Sequence, residues 1–144
     1  MRKFLSLILT LVAFAPVPAA ADAQVKIFAL GSHSDSLALA GGVEYHPAEN
    51  LTLSVVAKGL FQDSASPGGA FLVGWRDAIV ERVFVHVQTG YGELDLFIDE
   101  RDGNGFVGRF FAEIDLPDPL PVDVQGGVLW DAGFFPFAGF YLAP

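Results

Sequence analysis

Cysteine is absent from all 144 residues, so the chain has neither a disulfide framework nor a thiolate metal centre open to it. Basic residues are scarce as well. Beyond residue 23 there are six (Lys26, Lys58, Arg76, Arg82, Arg101 and Arg109) against sixteen Asp and Glu, a formal charge of −10. Such a balance excludes nucleic acid as a partner and argues against docking on anionic lipid through a basic surface. It is also sparse for a surface in water, which is commonly about a quarter charged with both signs mixed. Much of the exterior is therefore expected to lie out of water. Long apolar runs are missing too, apart from Phe4 to Val17, fourteen residues that include Pro16. A membrane-spanning helix needs roughly 20.

What is present at the start has the three parts of a secretory signal in their usual order. Met1-Arg2-Lys3 is the basic start, Phe4 to Val17 the apolar stretch, and Ala21-Asp22-Ala23 the small-x-small cleavage site. The expected division is a signal peptide over 1–23 and one domain over 24–144, exported to the periplasm or beyond. No Cys precedes the cleavage site, which excludes lipoprotein processing. A domain of this size without disulfides has to hold together by backbone pairing and apolar burial.

Past Gln24 the recurring hydrophobic period is two, the period of a strand. Leu37, Leu39, Gly41, Val43 and Tyr45 alternate with Ala38, Ala40, Gly42, Glu44 and His46. Pro47-Ala48-Glu49-Asn50 makes a turn, and Leu51, Leu53, Val55, Ala57, Gly59 and Phe61 then alternate with Thr52, Ser54, Val56, Lys58 and Leu60, which together predict a hairpin. The pattern recurs over Ala70 to Arg76, Val83 to Tyr91, Phe106 to Leu116 and Val122 to Asp131. With Val25 to Gly31 and Phe135 to Ala143 at the ends, the count is eight strands. Two joints are less regular. Arg76 to Arg82 is apolar enough to suggest a short helix. Past Tyr91 the apolar set shifts to Leu94, Leu96 and Ile98, implying a bulge or turn at Gly90 to Glu93 and leaving a count of nine or ten strands open. The paired glycines of Gly41-Gly42-Val43-Glu44-Tyr45 and Gly126-Gly127-Val128-Leu129-Trp130 read as shared mid-strand geometry and not as a phosphate loop.

One-sided strands suit both a membrane barrel with its apolar face outward and a soluble antiparallel β-sandwich with that face inward. The polar face favours the barrel. It carries Ala38, Ala40, Gly42, Thr52, Ser54, Gly74, Gly90 and Gly127 where water would be met by long charged side chains. Among them sit Glu44, Lys58, Arg109 and Glu113, with Asp115 and Asp123, a set of both signs suited to internal pairing in a narrow lumen. Aromatics at strand ends point the same way. Tyr45, Trp75 and Tyr141 are expected at one rim and Phe61, Tyr91, Trp130 and Phe135 at the other, all on the apolar face, as two girdles at the edges of a lipid layer.

The stretch from Gly41 to Ser54 resembles the repeated strand, short turn, strand unit of the small eight-stranded outer-membrane barrels of the OmpA and OmpX type, and the likeness of pattern extends over the mature chain. It implies an up-and-down barrel with a lumen filled by side chains. Members usually end in an aromatic residue that the insertion machinery reads, whereas this chain ends in Phe140-Tyr141-Leu142-Ala143-Pro144.

Candidate chemistry is thin. His33-Ser34-Asp35 groups an imidazole, a hydroxyl and a carboxylate, as in a lipid-modifying barrel enzyme, but adjacent turn residues seldom reach the geometry of a nucleophile and its base. Glu100-Arg101-Asp102-Gly103-Asn104-Gly105 has the look of a calcium loop, yet Phe111 stands where the closing acid belongs. His46 and His86 lack the further ligands of a recognisable metal spacing. The sequence therefore predicts an all-β, outer-membrane barrel without catalysis, cofactor or metal, whose partner is outer-membrane lipid. A soluble periplasmic or secreted sandwich that binds a ligand is the alternative.

Overall fold

The computed structural model describes residues 24–33, 37–58, 68–94 and 105–142. Residues 1–23, Ser34, Asp35, Phe61 and the 100–104 part of the acidic loop lie outside these. Eight strands follow in chain order: β1 (Gln24–His33), β2 (Leu37–His46), β3 (Leu51–Lys58), β4 (Gly68–Val80), β5 (Val83–Gly92), β6 (Gly105–Asp115), β7 (Val122–Trp130) and β8 (Phe134–Leu142). Each pairs antiparallel with its neighbours in sequence, and β1 pairs with β8, so the sheet closes on itself as an up-and-down barrel. The two-sheet sandwich is not adopted. Closure leaves no open edge, which gives this chain its stability without a crosslink.

Successive side chains in a strand point to opposite faces, and closure turns those faces into an outside and an inside. Ile27, Val55, Phe71, Val73, Trp75, Val87, Phe110 and Phe140 face outward and are exposed, whereas Glu44, Thr52, His86 and Glu113 face inward and are fully buried. Paired strands place cross-strand partners on the same face, so one inward residue orients its neighbours. Glu44 pairs with Ser54, Gln88 with Arg109, and Phe28 with Tyr141.

The interior is layered. One end of the barrel, the turn end, carries the connections at 47–50, 81–82 and 116–121 together with Gln24 and Leu142. Most inward residues in that half are polar: Lys26, Glu44, His46, Thr52, Ser54, His86, Gln88, Arg109, Glu113 and Gln125 are buried there, together with the rings of Phe28, Phe111 and Tyr141. Toward the far end the inward set becomes apolar, with Leu30, Ala38, Ala40, Val56, Leu72, Leu94, Val107, Leu129 and Phe137 packed as one cluster.

Glycines make room for the largest inward rings. A Cβ on Gly42 would stand 2.6 Å from Phe28 Cζ, and one on Gly127 would stand 2.5 Å from the Phe111 Cβ. The two similar Gly-Gly pairs of the sequence thus share a task, each giving up a side chain so that a neighbouring strand can place a phenyl ring in the lumen.

Three local expectations are corrected. The suspected helix over Arg76 to Arg82 is strand: β4 continues to Val80 and turns at Glu81 and Arg82, where Arg82 takes φ 66°. Its β-branched Ile79 and Val80 suit a strand, and the Asp115 amide donates to the Arg82 carbonyl at 2.9 Å, tying this hairpin to β6. At Gly90 to Glu93, β5 runs in register through Gly92, whose φ of 144° bends the chain inward. Leu94 is thereby buried against the cluster, with its amide donating to Asp131 Oδ2 at 2.7 Å. Tyr141 and Phe135 belong to the interior and not to a girdle. Tyr141 is wholly buried and Phe135 packs on the apolar cluster. Apolar residues occupy both parities of β8, so its hydrophobic pattern carries no phase; pairing with inward Phe28 supplies it.

The crowding around Phe28 is open to test. Gly42→Leu is expected to cost about 3 kcal/mol or more, the upper end of overpacking effects, and to abolish the compact form that migrates ahead of the boiled chain on a cold SDS gel.

Candidate functional site

The barrel's charges concentrate in the polar half of the lumen around two carboxylates on β2 and β6. Alternation brings them inside: Glu44 falls between outward Val43 and Tyr45, and Glu113 between Ala112 and Ile114. Glu44 accepts from Arg109 Nη2 at 2.5 Å, Ser54 Oγ at 2.9 Å, Gln88 Nε2 at 2.9 Å and the Tyr141 hydroxyl at 3.0 Å, all at Oε2. Its other oxygen accepts from His46 Nε2 at 2.8 Å. One carboxylate thus gathers donors from β3, β5, β6 and β8 across the lumen, besides His46 on its own strand.

Arg109 is held as tightly. Its Nε donates to Gln88 Oε1 at 2.6 Å, and its guanidinium lies between the rings of Phe28 and Phe111, 4.4 and 4.5 Å from their centroids. Those two π-faces surround the cation, and the space they use is that vacated by Gly42 and Gly127. Buried in this way, the pair with Glu44 is charge-assisted and bonded on several sides, the condition under which a buried ion pair is sustained.

The second centre is Glu113. Lys26 Nζ donates to its Oε1, His86 Nε2 donates to its Oε2 at 2.6 Å, and Arg76 Nε stands 3.5 Å away. Lys26 also reaches Asp123 Oδ2 at 3.2 Å. His86 links the two centres, its Nδ1 standing 3.6 Å from Glu44 Oε1 while its ring stacks on Phe111 at 4.3 Å. The result is one connected network from Tyr141 and Arg109 through Glu44, His86 and Glu113 to Lys26.

Of the four charges singled out from the sequence, Glu44 and Arg109 pair directly and Glu113 joins them through His86. Lys58 stands apart. Register sets it opposite Ala40 and Gly68, toward the far end, where it donates to Glu93 Oε1 at 2.7 Å. Among the aromatic positions, Trp75, Tyr91 and Trp130 are exposed on the outer face and Tyr45 is half-buried there. Neither the scan of protein-family models nor the search of curated proteins finds a match for this chain.

Sequence reasoning missed Lys26, Arg76, Gln88 and Tyr141 as members of the network. Lys26 between Val25 and Ile27 carried the signal for an inward cation on β1, and Gln88 between Val87 and Thr89 an equivalent one on β5. Nothing local marked Tyr141. The chemistry the arrangement supports is mutual neutralisation. A small cavity of about 30 Å³ at the turn end, lined by Glu49, Asn50, Arg76, Asp77, Ala78 and Phe84, is room for about one water.

Removing one member of the central pair exposes its role. Glu44→Gln is expected to lose about 3–5 kcal/mol, because it leaves Arg109 as an uncompensated buried charge. The double variant Glu44→Gln with Arg109→Met should retain most of the stability. Denaturant unfolding followed by tryptophan fluorescence distinguishes the two.

Proposed function

We propose that this chain is an integral outer-membrane β-barrel with a structural or surface-contact role and no catalysis. The observation that carries the reading is the inversion of its faces. Large apolar side chains cover the outside, with Trp75 at 58% exposure and Phe106 at 77%, while Glu44 and Arg109 are at 0% and 2% inside. In water that exterior would be an extended apolar surface far beyond what single soluble domains carry; in lipid it is the expected solvent-facing band.

Further features support the same setting. Strands of 8 to 13 residues match the 9 to 11 or so that cross a bilayer at a tilt. At the far end Tyr91, Phe106, Trp130 and Phe134 follow one another across β5, β6, β7 and β8, Tyr91 and Phe106 meeting edge to face at 6.0 Å. At the turn end Trp75 and Tyr45 are the corresponding outer aromatics. Aromatic side chains favour these boundary depths. Connections at the turn end have two to six residues; at the other end two have three, while nine residues separate β3 from β4 and twelve separate β5 from β6, so the long connections all lie at one end, as in barrels whose short turns face the periplasm. In this orientation both ends of the described chain lie on the periplasmic side. The far end of the barrel is then the one that makes the surface contacts.

Fractionation of cells expressing the full chain tests the setting. The expected result is recovery in the outer membrane with a band whose mobility differs between cold and boiled samples; recovery in the soluble periplasm without a shift overturns it. A charge on the outer face gives an independent measure: Val55→Arg should cost about 2–4 kcal/mol of folding free energy in lipid vesicles if it lies near mid-bilayer.

A further inference from the structure

At the turn end of the lumen, β6 and β7 bring three carboxylates together. Glu113, Asp115 and Asp123 each offer an oxygen within 4.8 Å of the others. Asp115 and Asp123 are direct cross-strand partners, and like charges in that position repel. Lys26 lies against Glu113 and Asp123, and Arg76 approaches Glu113, so five charges leave one negative charge uncompensated.

A separate observation marks the same place. Gln125, opposite Glu113 in the β6–β7 register and two residues from Asp123, is 4% exposed, and neither of its amide heteroatoms has a hydrogen-bond partner. Its other cross-strand neighbour is Gly139, which offers no side chain. Asp115 Oδ1 is likewise buried without a partner. A carboxamide shut away from water with both ends unmet costs free energy, and the carboxylates of Glu113 across the strand pair and Asp123 along the strand lie on the same inward face. An ion held there would meet the amide oxygen.

We infer that Glu113, Asp115, Asp123 and Gln125 form a binding site for a hard divalent cation of the calcium kind, entered from the turn end. Carboxylate and carboxamide oxygens are the ligands such an ion takes, in a flexible geometry that tolerates ligands drawn from two strands. Asp115 and Asp123 are half-buried at the rim, which gives the ion its path. Lys26 is the tethered competitor: its ammonium occupies the Glu113 and Asp123 edge, and the incoming ion takes over that edge. The sequence showed no ligand spacing here because the ligands lie opposite one another across a strand pair. The site depends on the barrel's closure and not on which solvent surrounds it, so its test is independent of membrane location.

The experiment is calorimetric titration of calcium chloride into the folded full chain, stripped with a chelator and held in detergent micelles. Saturable binding of one ion per chain is expected, weakened about tenfold or more by Asp115→Asn or Asp123→Asn as ligands are lost. Lys26→Gln keeps every ligand and removes the competing charge, so it should tighten binding by about tenfold. Absence of saturable binding to the wild-type chain overturns the inference, as does equal binding in folded Asp115→Asn and Asp123→Asn. Where those two variants do not fold, Lys26→Gln decides, and affinity unchanged or weakened in it overturns the site.

Discussion

The Arg109 and Glu44 pair sits where an eight-stranded sheet has just enough room for side chains. Water cannot fill that space, so each charge placed there has to find its partner inside the protein. Everything around the pair serves this requirement. Gly42 and Gly127 yield volume to Phe28 and Phe111, the two rings bracket the guanidinium, and Gln88 bridges the pair from β5. Ser54, His46 and Tyr141 use up the remaining acceptor capacity of Glu44. Loss of any one donor leaves others, but loss of the carboxylate removes the acceptor that all of them share and leaves the Arg109 charge without its counter-ion.

This arrangement reverses the usual allocation of residues. A soluble fold sends its apolar side chains inward and spends charge on the surface; here the apolar side chains form the outer wall and the charges form a framework within it. The reversal is incomplete, because the far half of the lumen is packed with Leu30, Leu72, Val107, Leu129 and Phe137. The barrel therefore has a polar chamber that faces the turn end and an apolar stopper above it. A solute that passes the polar chamber meets a packed apolar core that cannot move aside without being broken.

Much of this was legible in the amino-acid sequence, and the limits have physical causes. Eight strands and their hairpin from Leu37 to Lys58 followed from the period of two, and Glu44 and Arg109 stood out as charges on a face of otherwise small residues. Where both parities were apolar, as in β8, the pattern lost its phase, and Tyr141 and Phe135 were assigned to the wrong side. Arg76 to Arg82 suggested a short helix because it is too apolar for a simple turn; β4 instead runs through it to Val80, with a register shift between Ala78 and Val80. Lys58 was grouped with Glu44, Arg109 and Glu113 because face alone was readable; height along the barrel depends on register, which set Ser54 and not Lys58 opposite Glu44. Groupings made across strands, such as Glu113 with Asp123, have no signature in linear spacing at all.

The seam between β1 and β8 gives the network a further meaning. Tyr141 on β8 completes the donor set of Glu44, and Lys26 on β1 neutralises Glu113, while Phe28 and Tyr141 meet edge to face at 5.8 Å across the join. A sheet that has paired seven of its junctions but not the eighth holds both carboxylates short of a partner. Electrostatic completion and geometric completion thus coincide at one junction. The join that closes the barrel is therefore also the place where the charge balance of its lumen is completed.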